Sequence, residues 1–451
     1  MPNEFKGKKV LIMGLGLHGG GVGTAKFLMR AGAKVTITDL RSKKILSPSI
    51  KALSRYKGIK YVLGRHRGED ILKADLIVKN PGISPNSPFI RLAMAKKKPI
   101  TSDMGIFFKR FPGKIIGVTG TRGKSTTAYL IWRFLKTRHS RTYLGGNIRK
   151  SVLELLPKLQ RDDIVVLELS SFQLKDLSAD KVSPQIAVLT NILRDHLNWH
   201  KNLPDYINSK KNVFLFQKKS DVLFVNFYDR VASRMAKQAP GRVIYPKLPK
   251  SFKLVVDSNL GAHFKNSVAL ANAVAGYFGV TQKNTIKILK NFHGLPERQQ
   301  KIAAIKGVDF IDDTTATSPD AAVAALNRFG KGKKGKLILI AGGQDKKLDF
   351  SSFIRAIKSY ADAVIFLPGS ATDKLKKQVA NRPDGKAIED PRQNRDKWQM
   401  AVSMQDAVKK AWKVAQRGDI VLLSPGAASF GLFLNEFDRG KKFVDAVRKL
   451  K

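Results

Sequence analysis

The sequence predicts an α/β protein built from three domains. Apolar runs typical of strands alternate with helical patterns along nearly all of its 451 residues, which favours largely parallel sheets covered by helices. Two of these runs lead into glycine turns, near residues 14 and 120, and a helical pattern follows each turn. The length agrees, because a chain of this size divides into about three domains that each bury a core.

We place the domains at residues 1–112, 113–298 and 299–451. The first is predicted to be Rossmann-like, because residues 8–41 have the pattern of a strand, a glycine turn, a helix and a second strand. The second begins at "GKIIGVTG", directly after a linker at 109–114. The third is also expected to be Rossmann-like.

The third domain follows "HGLPERQQ" and contains four apolar runs. These predict strands at 308–311, 336–343, 362–367 and 419–425. The segment 381–398 is polar and interrupted by prolines, and we expect it to be an exposed loop.

The chain is strongly basic, with 83 Lys and Arg residues against 35 Asp and Glu, a formal net charge of +48. Such a balance is compatible with nucleic acid or with phosphorylated substrates. The basic residues lie along the whole chain and form no tail, which favours solvated surfaces. We therefore expect no specific nucleic-acid partner, and a basic cleft for anionic small molecules fits either interpretation.

The chain contains no cysteine, which excludes disulfides, thiol nucleophiles and zinc sites built on thiolates. No apolar run approaches the ~18 residues of a membrane span. The N-terminal sequence lacks the pattern of a signal peptide. We expect a cytoplasmic monomer with no membrane partner.

The segment "GTRGKSTT" (120–127) resembles a phosphate-binding loop with unusual spacing. The usual pattern has a glycine five residues before the glycine of the Gly-Lys pair, where this chain has Val118. Lys124 at a helix N-terminus can reach terminal phosphates, and Ser125 offers a hydroxyl to Mg²⁺. An ordinary capped turn is the alternative. Nucleotide binding is favoured, because every chemical part follows a strand and precedes a helix.

The earlier glycine cluster is a weaker signal. Gly14, Gly16 and Gly19 match the pattern of a dinucleotide-binding turn, and Asp39 ends the next strand. The same arrangement suits any diphosphate whose sugar or base needs an acidic partner. A tight turn without a ligand would also have this pattern.

Two further motifs follow apolar runs in the central domain. Glu168 could hold Mg²⁺, although a glutamate that leaves a strand is often only a surface residue. Asp195 and His196 could face a nucleotide-bound metal, or could form a capped turn. A zinc-protease motif is excluded, because Leu197 occupies the place of its glutamate.

Taken together, these motifs resemble the Mur ligase family of ATP-dependent amino-acid ligases, in particular its glutamate-adding branch. That family uses a "GT-x-GK-[ST]-T" loop, which accounts for Val118. The other matching segments are "LELSSFQL" (167–174), "HGLPER" (293–298), "DDTTATSPDA" (312–321), "GGQDKKLDF" (342–350) and "LLSPGAASFGLFLNEFDRG" (422–440).

The resemblance implies a reaction and its ligands. It implies that D-glutamate is added to UDP-N-acetylmuramoyl-L-alanine through an acyl phosphate, in peptidoglycan precursor synthesis. ATP would be the co-substrate, with two Mg²⁺ ions. The implied architecture is a UDP-binding domain, a central ATP-binding domain and an amino-acid-binding domain. A sibling ligase for another amino acid such as L-glutamate, a nucleic-acid-binding ATPase and an inactive relative that binds UDP-sugars are the alternatives.

The resemblance also implies roles for individual residues. Catalytic roles fall to Lys124, Glu168, His196 and Lys210. The implied metal ligands are Ser125, Glu168, His196 and a carbamylated Lys210, with Lys211 as the alternative register. ATP would be held by Gly120, Thr121, Arg122, Gly123, Lys124, Ser125, Thr126, Arg298 and Asp313. The UDP-sugar would contact Leu17, His18, Asp39, Arg41, Gly146, Asn147 and Ser170. The incoming amino acid would contact Thr317, Lys346, Ser429 and Phe437.

Three places depart from the family pattern. Arg122 stands where asparagine is common. Phe264 and Ser267 replace both asparagines of an "H-N-x-x-N" motif, unless Asn266 compensates. Thr315 occupies a position that is lysine in many glutamate-adding members. The first two concern nucleotide contacts, and the third concerns the identity or stereochemistry of the amino acid.

Overall fold

The computed structural model describes residues 3–17, 19–147, 151–197, 199–259, 264–292, 294–346, 348–379 and 398–450. The chain divides into two compact units, residues 1–256 with 264–290 and residues 257–263 with 291–451. The first unit holds two sheets and the second holds one. The α/β class and the parallel sheets are confirmed, and the domain boundaries near 112 and 298 stay a prediction.

The first sheet has five strands in the order β3-β2-β1-β4-β5, and all its neighbouring strands are parallel. Its strands β1–β5 are Lys9–Met13, Lys34–Asp39, Lys60–Leu63, Leu76–Lys79 and Ile100–Thr101. The accompanying helices α1–α5 are Gly20–Arg30, Lys43–Lys51, Gly68–Lys73, Pro88–Ala95 and Asp103–Arg110. A short 3₁₀ helix spans Asn3–Phe5.

The second sheet has six parallel strands in the order β11-β10-β9-β6-β8-β7. Its strands β6–β11 are Lys114–Thr119, Thr142–Gly146, Ile164–Glu168, Ile186–Leu189, Val222–Val225 and Arg242–Ile244. The helices α6–α13 are Lys124–Leu135, Val152–Leu155, Ser171–Asp180, Leu203–Lys211, Arg230–Ala236, Lys250–Asn259, Lys265–Tyr277 and Gln282–Lys290, with a 3₁₀ helix at Leu156–Lys158.

The third sheet, in the second unit, has six strands in the order β12-β13-β17-β14-β15-β16. Its strands β12–β17 are Gln300–Ile305, Val308–Asp312, Leu337–Gly342, Ala363–Leu367, Trp398–Met400 and Ile420–Leu423. The helices α14–α18 are Pro319–Gly330, Ser351–Tyr360, Ser370–Val379, Met404–Val414 and Glu436–Arg448.

The two edge strands of this sheet were not predicted. Strand β12 pairs antiparallel with β13, and most of its side chains are partly exposed, so it lacks the continuous apolar run of a central strand. Strand β16 begins at Trp398, so the prediction of a loop as far as residue 398 was wrong at its last residue. The rest of that predicted loop, 381–397, lies outside the described residues.

Burial on both faces explains why the central strands could be predicted from the sequence pattern. Side chains of strand β14 alternate between two core layers, one that includes Leu339 and Phe353 and one that includes Ile340 and Phe443. Both layers are apolar, so the strand reads as one uninterrupted apolar run. In parallel sheets the loops that follow the strands gather at one edge, where ligands bind. The loops after β6, β8 and β9 therefore meet at one edge of the second sheet.

Candidate active site

The turn between β6 and α6 is the predicted phosphate-binding loop, and its shape depends on two glycines. Gly120 has φ 144° and Gly123 has φ 78°, both in the left-handed region that favours glycine. A Cβ atom at Gly120 would lie only 1.9 Å from Thr190 Oγ1. No other residue type therefore fits at Gly120 without moving the end of strand β9.

The exit of β9 holds this loop by hydrogen bonds. The backbone N–H of Thr121 donates to Asn191 O at 2.8 Å, and that of Arg122 donates to Asn191 Oδ1 at 2.8 Å. Thr190 Oγ1 donates to Arg122 O at 2.6 Å. The role of this Thr-Asn pair was missed in the sequence, where the only available signal was two polar residues at the end of a buried strand.

Two lysines reach the loop from different helices. Lys124, the first residue of α6, donates from Nζ to Thr121 O at 2.9 Å. Lys210 on α9 is 2% exposed and donates to Gly120 O at 2.7 Å. Burial, and then the positive charge of Lys124, lower the pKa of Lys210 well below its usual value. Lys211 is partly exposed, so Lys210 is the lysine that the structure places on the loop.

Glu168, the last residue of β8, lies beside the loop strand and pairs in register with Val118 of β6. It is 3% exposed, and its Oε1 accepts a hydrogen bond from Asn147 Nδ2 at 3.1 Å. Its Oε2 is buried and accepts no hydrogen bond from the residues that the structure describes. A buried carboxylate oxygen without a donor suits a hard cation such as Mg²⁺.

Asp195 and His196 form the capped turn considered above, and the turn also reaches the loop. Asp195 Oδ1 accepts from the His196 N–H at 2.9 Å, and Oδ2 accepts from Arg122 Nη1 at 3.0 Å. The His196 side chain is 35% exposed and packs edge-on against Phe172 at 4.9 Å between ring centroids. The turn therefore lies beside the loop, and a role of Asp195 or His196 at a metal stays a prediction.

The first glycine turn, after β1, is held by Asp39. The Asp39 carboxylate accepts the N–H of Gly16 at 3.0 Å and the N–H of Arg41 at 2.9 Å. The resemblance assigned Asp39 to the UDP-sugar, and its part in shaping the turn was not foreseen. Leu17 is partly buried, the Arg41 side chain is 48% exposed, and His18 lies outside the described residues.

The remaining residues predicted for the UDP-sugar lie near Glu168. The N–H of Asn147 donates to Glu168 O at 2.9 Å, and a Cβ at Gly146 would come within 2.2 Å of that same oxygen. Ser170 begins α8 with a capping box, in which its Oγ accepts the N–H of Gln173 at 3.2 Å. The structure thus places Gly146, Asn147 and Ser170 around the end of β8.

In the second unit, Asp313 follows β13 and is held on both carboxylate oxygens. Ser424 Oγ donates to Oδ2 at 2.8 Å, and the N–H of Gln299 donates to Oδ1 at 3.2 Å. Burial raises the pKa of Asp313 to about 7, and the positive charge of Arg298 opposes this rise. Part of the Asp313 population is therefore protonated near neutral pH.

Three of the four residues predicted for the amino acid lie on connections of the second unit, and the fourth lies in α18. Lys346 Nζ donates to Thr317 Oγ1 at 3.2 Å, which brings two of the four together. Ser429 Oγ, after β17, is buried and has no hydrogen-bond partner among the described residues. Phe437 is partly buried in the first turn of α18.

A buried arginine in the second unit was missed. Arg439 on α18 is 0% exposed, and its Nε and Nη2 donate to Thr314 Oγ1 at 3.1 Å and to Thr314 O at 2.7 Å. Its Nη1 donates to Ala427 O at 3.1 Å. Burial lowers the pKa of Arg439 to about 10. One side chain therefore ties the exits of β13 and β17 to α18.

The structure describes the surroundings of two departures from the family pattern, the Phe264 and Ser267 pair and Thr315. A Cβ at Gly123 would lie 3.0 Å from Ser267 Oγ, so the serine that replaces an asparagine borders the phosphate loop. Phe264 is buried at the start of α12. In the second unit, Thr315 Oγ1 donates to Glu297 O at 3.0 Å.

Two absences apply to the described part of the chain. It contains no group of three or more His, Cys, Asp or Glu side chains arranged to hold a metal. Within the same residues, no helix combines the length and the apolar character that a membrane crossing requires.

Comparisons with known proteins cover nearly the whole chain. Family models described as "Mur ligase MurD-like, N-terminal domain", "Mur ligase middle domain" and "Mur ligase, glutamate ligase domain" match residues 8–102, 118–294 and 297–426. UDP-N-acetylmuramoylalanine–D-glutamate ligase from Roseiflexus sp. (strain RS-1) is 37% identical over 98% of each chain. The enzyme of the same name from Borreliella burgdorferi (strain ZS7) is 36% identical over 99% of each chain.

Solved structures show the same fold at low sequence identity. MurF ligase from Thermotoga maritima, in complex with ADP, matches with a TM-score of 0.57 and 17% identity, over 100% of this chain and 97% of that one. The murein peptide ligase mpl from Psychrobacter arcticus 273-4 also has a TM-score of 0.57, at 16% identity, over 98% of this chain and 99% of that one.

Proposed function

This chain belongs to the Mur ligase family, and from that premise we propose that it joins D-glutamate to UDP-N-acetylmuramoyl-L-alanine at the expense of ATP. The product is a precursor of peptidoglycan. One observation carries the proposal: the relatives from Roseiflexus and Borreliella, at 37% and 36% identity over nearly the full length of both chains, are named as this ligase. The loop at Gly120–Thr126 supports the use of ATP, because it holds the lysine, the hydroxyl and the helix N-terminus that a triphosphate needs.

The proposed chemistry has two steps. A carboxylate oxygen of the UDP-sugar peptide bonds to the γ-phosphorus of ATP while the bond to the β–γ bridging oxygen breaks, which gives ADP and an acyl phosphate. The neutral amine of D-glutamate then forms the amide while the carbon–oxygen bond to phosphate breaks, which releases phosphate and a proton. Catalysis of this kind depends mainly on position and on charge stabilisation.

The first unit supplies the groups for phosphoryl transfer. Lys124 would place its ammonium on the γ-phosphate, and the N–H groups of the first turn of α6 would hold phosphate oxygens. Leu17, Asp39, Arg41, Gly146, Asn147 and Ser170 remain the proposed contacts of the UDP-sugar, with His18 proposed from the sequence alone. From the second unit we propose Arg298 and Asp313 for ATP.

The second unit would also bind the amino acid. Lys346 lies within hydrogen-bond distance of Thr317 and can pair with a glutamate carboxylate. The buried Ser429 hydroxyl is available to a ligand polar group, because no described residue bonds to it. Phe437 would add apolar contact.

The residues proposed for Mg²⁺ fit a hard cation. Glu168 offers a buried oxygen without a donor among the described residues, and Ser125 is the second residue of α6. His196 follows Asp195, whose carboxylate accepts from Arg122 of the loop. Few protein ligands are needed, because Mg²⁺ is commonly held by one or two carboxylates together with substrate phosphates. When bound, Mg²⁺ would neutralise charge on the transferring phosphoryl group.

Lys210 would join this set once carbamylated by CO₂, because the modification converts a buried cation into an anionic oxygen ligand. Its burial and its contact with Gly120 O motivate the proposal. Labelling with ¹³C-bicarbonate should give a carbamate signal in the ¹³C NMR spectrum. That signal should vanish in Lys210→Ala and remain in Lys211→Ala, and a signal lost only in Lys211→Ala would assign the modification to the neighbour.

The function is tested by identifying the product. The protein is incubated with ATP, UDP-N-acetylmuramoyl-L-alanine and one amino acid at a time, and the UDP-sugar is weighed by mass spectrometry. We expect the mass of one added glutamate residue with D-glutamate, together with equal amounts of ADP and phosphate. Thr315 makes L-glutamate the alternative, and a product formed only with L-glutamate would replace the proposed specificity.

The proposed location is the cytoplasm and the proposed oligomeric state is the monomer. Light scattering of the purified protein checks the second of these.

A further inference from the structure

Arg122 is the loop residue that departs most from the family pattern, and its backbone is fixed. Its N–H is bound by Asn191 Oδ1, and its carbonyl oxygen accepts from Thr190 Oγ1 and, at 3.1 Å, from Asn191 Nδ2. On the side of Arg122, all three bonds use backbone atoms. The position of its guanidinium group therefore depends on other contacts.

The guanidinium group lies on the same acceptor as the loop lysine. Arg122 Nη1 approaches Thr121 O at 3.4 Å, and Lys124 Nζ donates to that same oxygen at 2.9 Å. Two cations are therefore gathered at one carbonyl, where their mutual repulsion is unfavourable. Lys210 also lies near this pair: burial lowers its pKa, and the positive charges of Lys124 and Arg122 lower it further.

One carboxylate balances this charge in the structure. Asp195 Oδ2 accepts from Arg122 Nη1 at 3.0 Å, and only 7% of the Asp195 side chain is exposed, against 29% for Arg122. Because the Arg122 side chain is the more exposed of the two, it can leave this pair while the Asp195 side chain keeps its position. The aspartate is also tied to its own turn through the His196 N–H.

From this geometry we propose that Arg122 is a specificity residue for the triphosphate: its guanidinium leaves Asp195 and binds the terminal phosphate of ATP beside Lys124. The inference rests on the proposed function, because it assumes that ATP occupies this loop. A guanidinium group can give two parallel hydrogen bonds to one phosphate, which asparagine cannot.

The test is a comparison of two nucleotides on one variant. Arg122→Asn restores the common family residue and leaves the three backbone bonds of the loop in place. Binding of ADP and of a non-hydrolysable ATP analogue with an imido β–γ bridge is measured by calorimetry in magnesium buffer. We expect the affinity for the analogue to fall about ten- to one-hundredfold, because a hydrogen bond to a charged group is lost. The affinity for ADP should change by less than about threefold, since it lacks that phosphate.

Two further variants sharpen this test. Arg122→Lys keeps the charge without the planar fork, and we expect a loss for the analogue between those of the wild type and Arg122→Asn. Arg133→Asn removes one positive charge from an exposed position on the same helix, α6, and should alter neither affinity.

Each outcome of the binding measurements either supports or overturns the inference. A loss confined to the analogue supports the inference. Equal losses for both nucleotides would show that Arg122 only shapes the loop, and unchanged affinities would show that the phosphate does not need it; either result overturns the inference and leaves the proposed function standing. A wild-type protein that binds neither nucleotide would overturn both.

Discussion

The phosphate-loop edge of the first unit and the edge formed by the exits of β13 and β17 in the second unit hold buried charge in opposite ways. At the first edge, Lys124 and Lys210 donate to loop carbonyls, and Glu168 keeps one oxygen without a donor among the described residues. At the second, both oxygens of Asp313 accept hydrogen bonds, and each guanidinium nitrogen of Arg439 donates to the chain itself. The first edge keeps a buried acceptor for a ligand, whereas the polar atoms of Asp313 and Arg439 at the second edge are bonded within the chain.

Removal of a charge from the first edge should have the largest effect and tests the contrast between the two edges most directly. We expect Lys124→Ala to lower ligase activity at least about a thousandfold, because a preorganised cation at the transferring phosphate is lost. The fold should survive, since the Lys124 side chain is partly exposed and donates to a carbonyl of its own loop. Product formation and circular dichroism are measured together.

Lys136→Ala is the matched control for that experiment, because Lys136 is exposed at the other end of the same helix. It should retain full activity. Retained turnover in Lys124→Ala would refute the assignment of the loop.

The corresponding change at the second edge should act on stability. Arg439→Ala removes the three donors that join Thr314 and Ala427, and leaves buried acceptors without partners. We expect the second unit to lose about 3–5 kcal/mol of unfolding free energy, a typical cost of breaking a buried charged network. Hydrogen exchange of peptides that cover β13 and β17 measures the loss locally.

Lys442→Ala serves as the control on the same helix, where Lys442 forms a partly exposed pair with Asp438 and lies over the Phe433 ring. It should cost no more than about 1 kcal/mol. A comparably small loss in Arg439→Ala would mean that the three segments are held together without it, and the contrast between the two edges would fail.

A smaller effect is expected from pH. Burial raises the pKa of Asp313 to about 7, whereas an unfolded aspartate titrates near about 4. Between these values the folded chain keeps a proton that the unfolded chain releases, so the contribution of Asp313 to stability is fully present below pH ~4 and is lost as the pH rises to about 7. Asparagine does not titrate. The unfolding free energy of Asp313→Asn, measured against that of the wild type, should therefore rise by about 1–3 kcal/mol from pH 5 to pH 8.

Local hydrogen exchange of β13 across this pH range provides the measurement, corrected for the intrinsic exchange rate at each pH. Asp309→Asn controls for the loss of a carboxylate from the same strand at a partly exposed position. A difference between Asp313→Asn and the wild type that stays flat with pH would show that Asp313 is ionised throughout.

The same contrast explains what the sequence could predict. Strands β13 and β14 were predicted to within one residue at each end, at 308–311 against Val308–Asp312 and at 336–343 against Leu337–Gly342. Strands covered on both faces give continuous apolar runs, and that pattern survives in the sequence alone. The edge strand β12 is half exposed and offers no such run.

For the site, residue types at strand ends were informative and their partners were not. Glu168 was expected at the end of a strand and lies there. Nothing in the sequence said that Asp39 would accept two backbone N–H groups, because an aspartate that binds a ligand and one that holds a turn occupy the same position. The sequence also could not say which of the adjacent Lys210 and Lys211 lies at the site. The structure does, because Tyr206 and Lys210 lie one turn apart on the buried side of α9.

The bonds to Asp39 also matter for inhibitor design against the proposed nucleotide-sugar site. A designer would aim a hydrogen-bond donor at this carboxylate, yet each of its oxygens already receives a main-chain N–H, from Gly16 and from Arg41. A compound that pulled the carboxylate away would release the peptide groups that shape the glycine turn, and part of its binding energy would be spent on that rearrangement. Weak inhibition by such a compound would then reflect the deformed turn, and would not mean that the base pocket is absent.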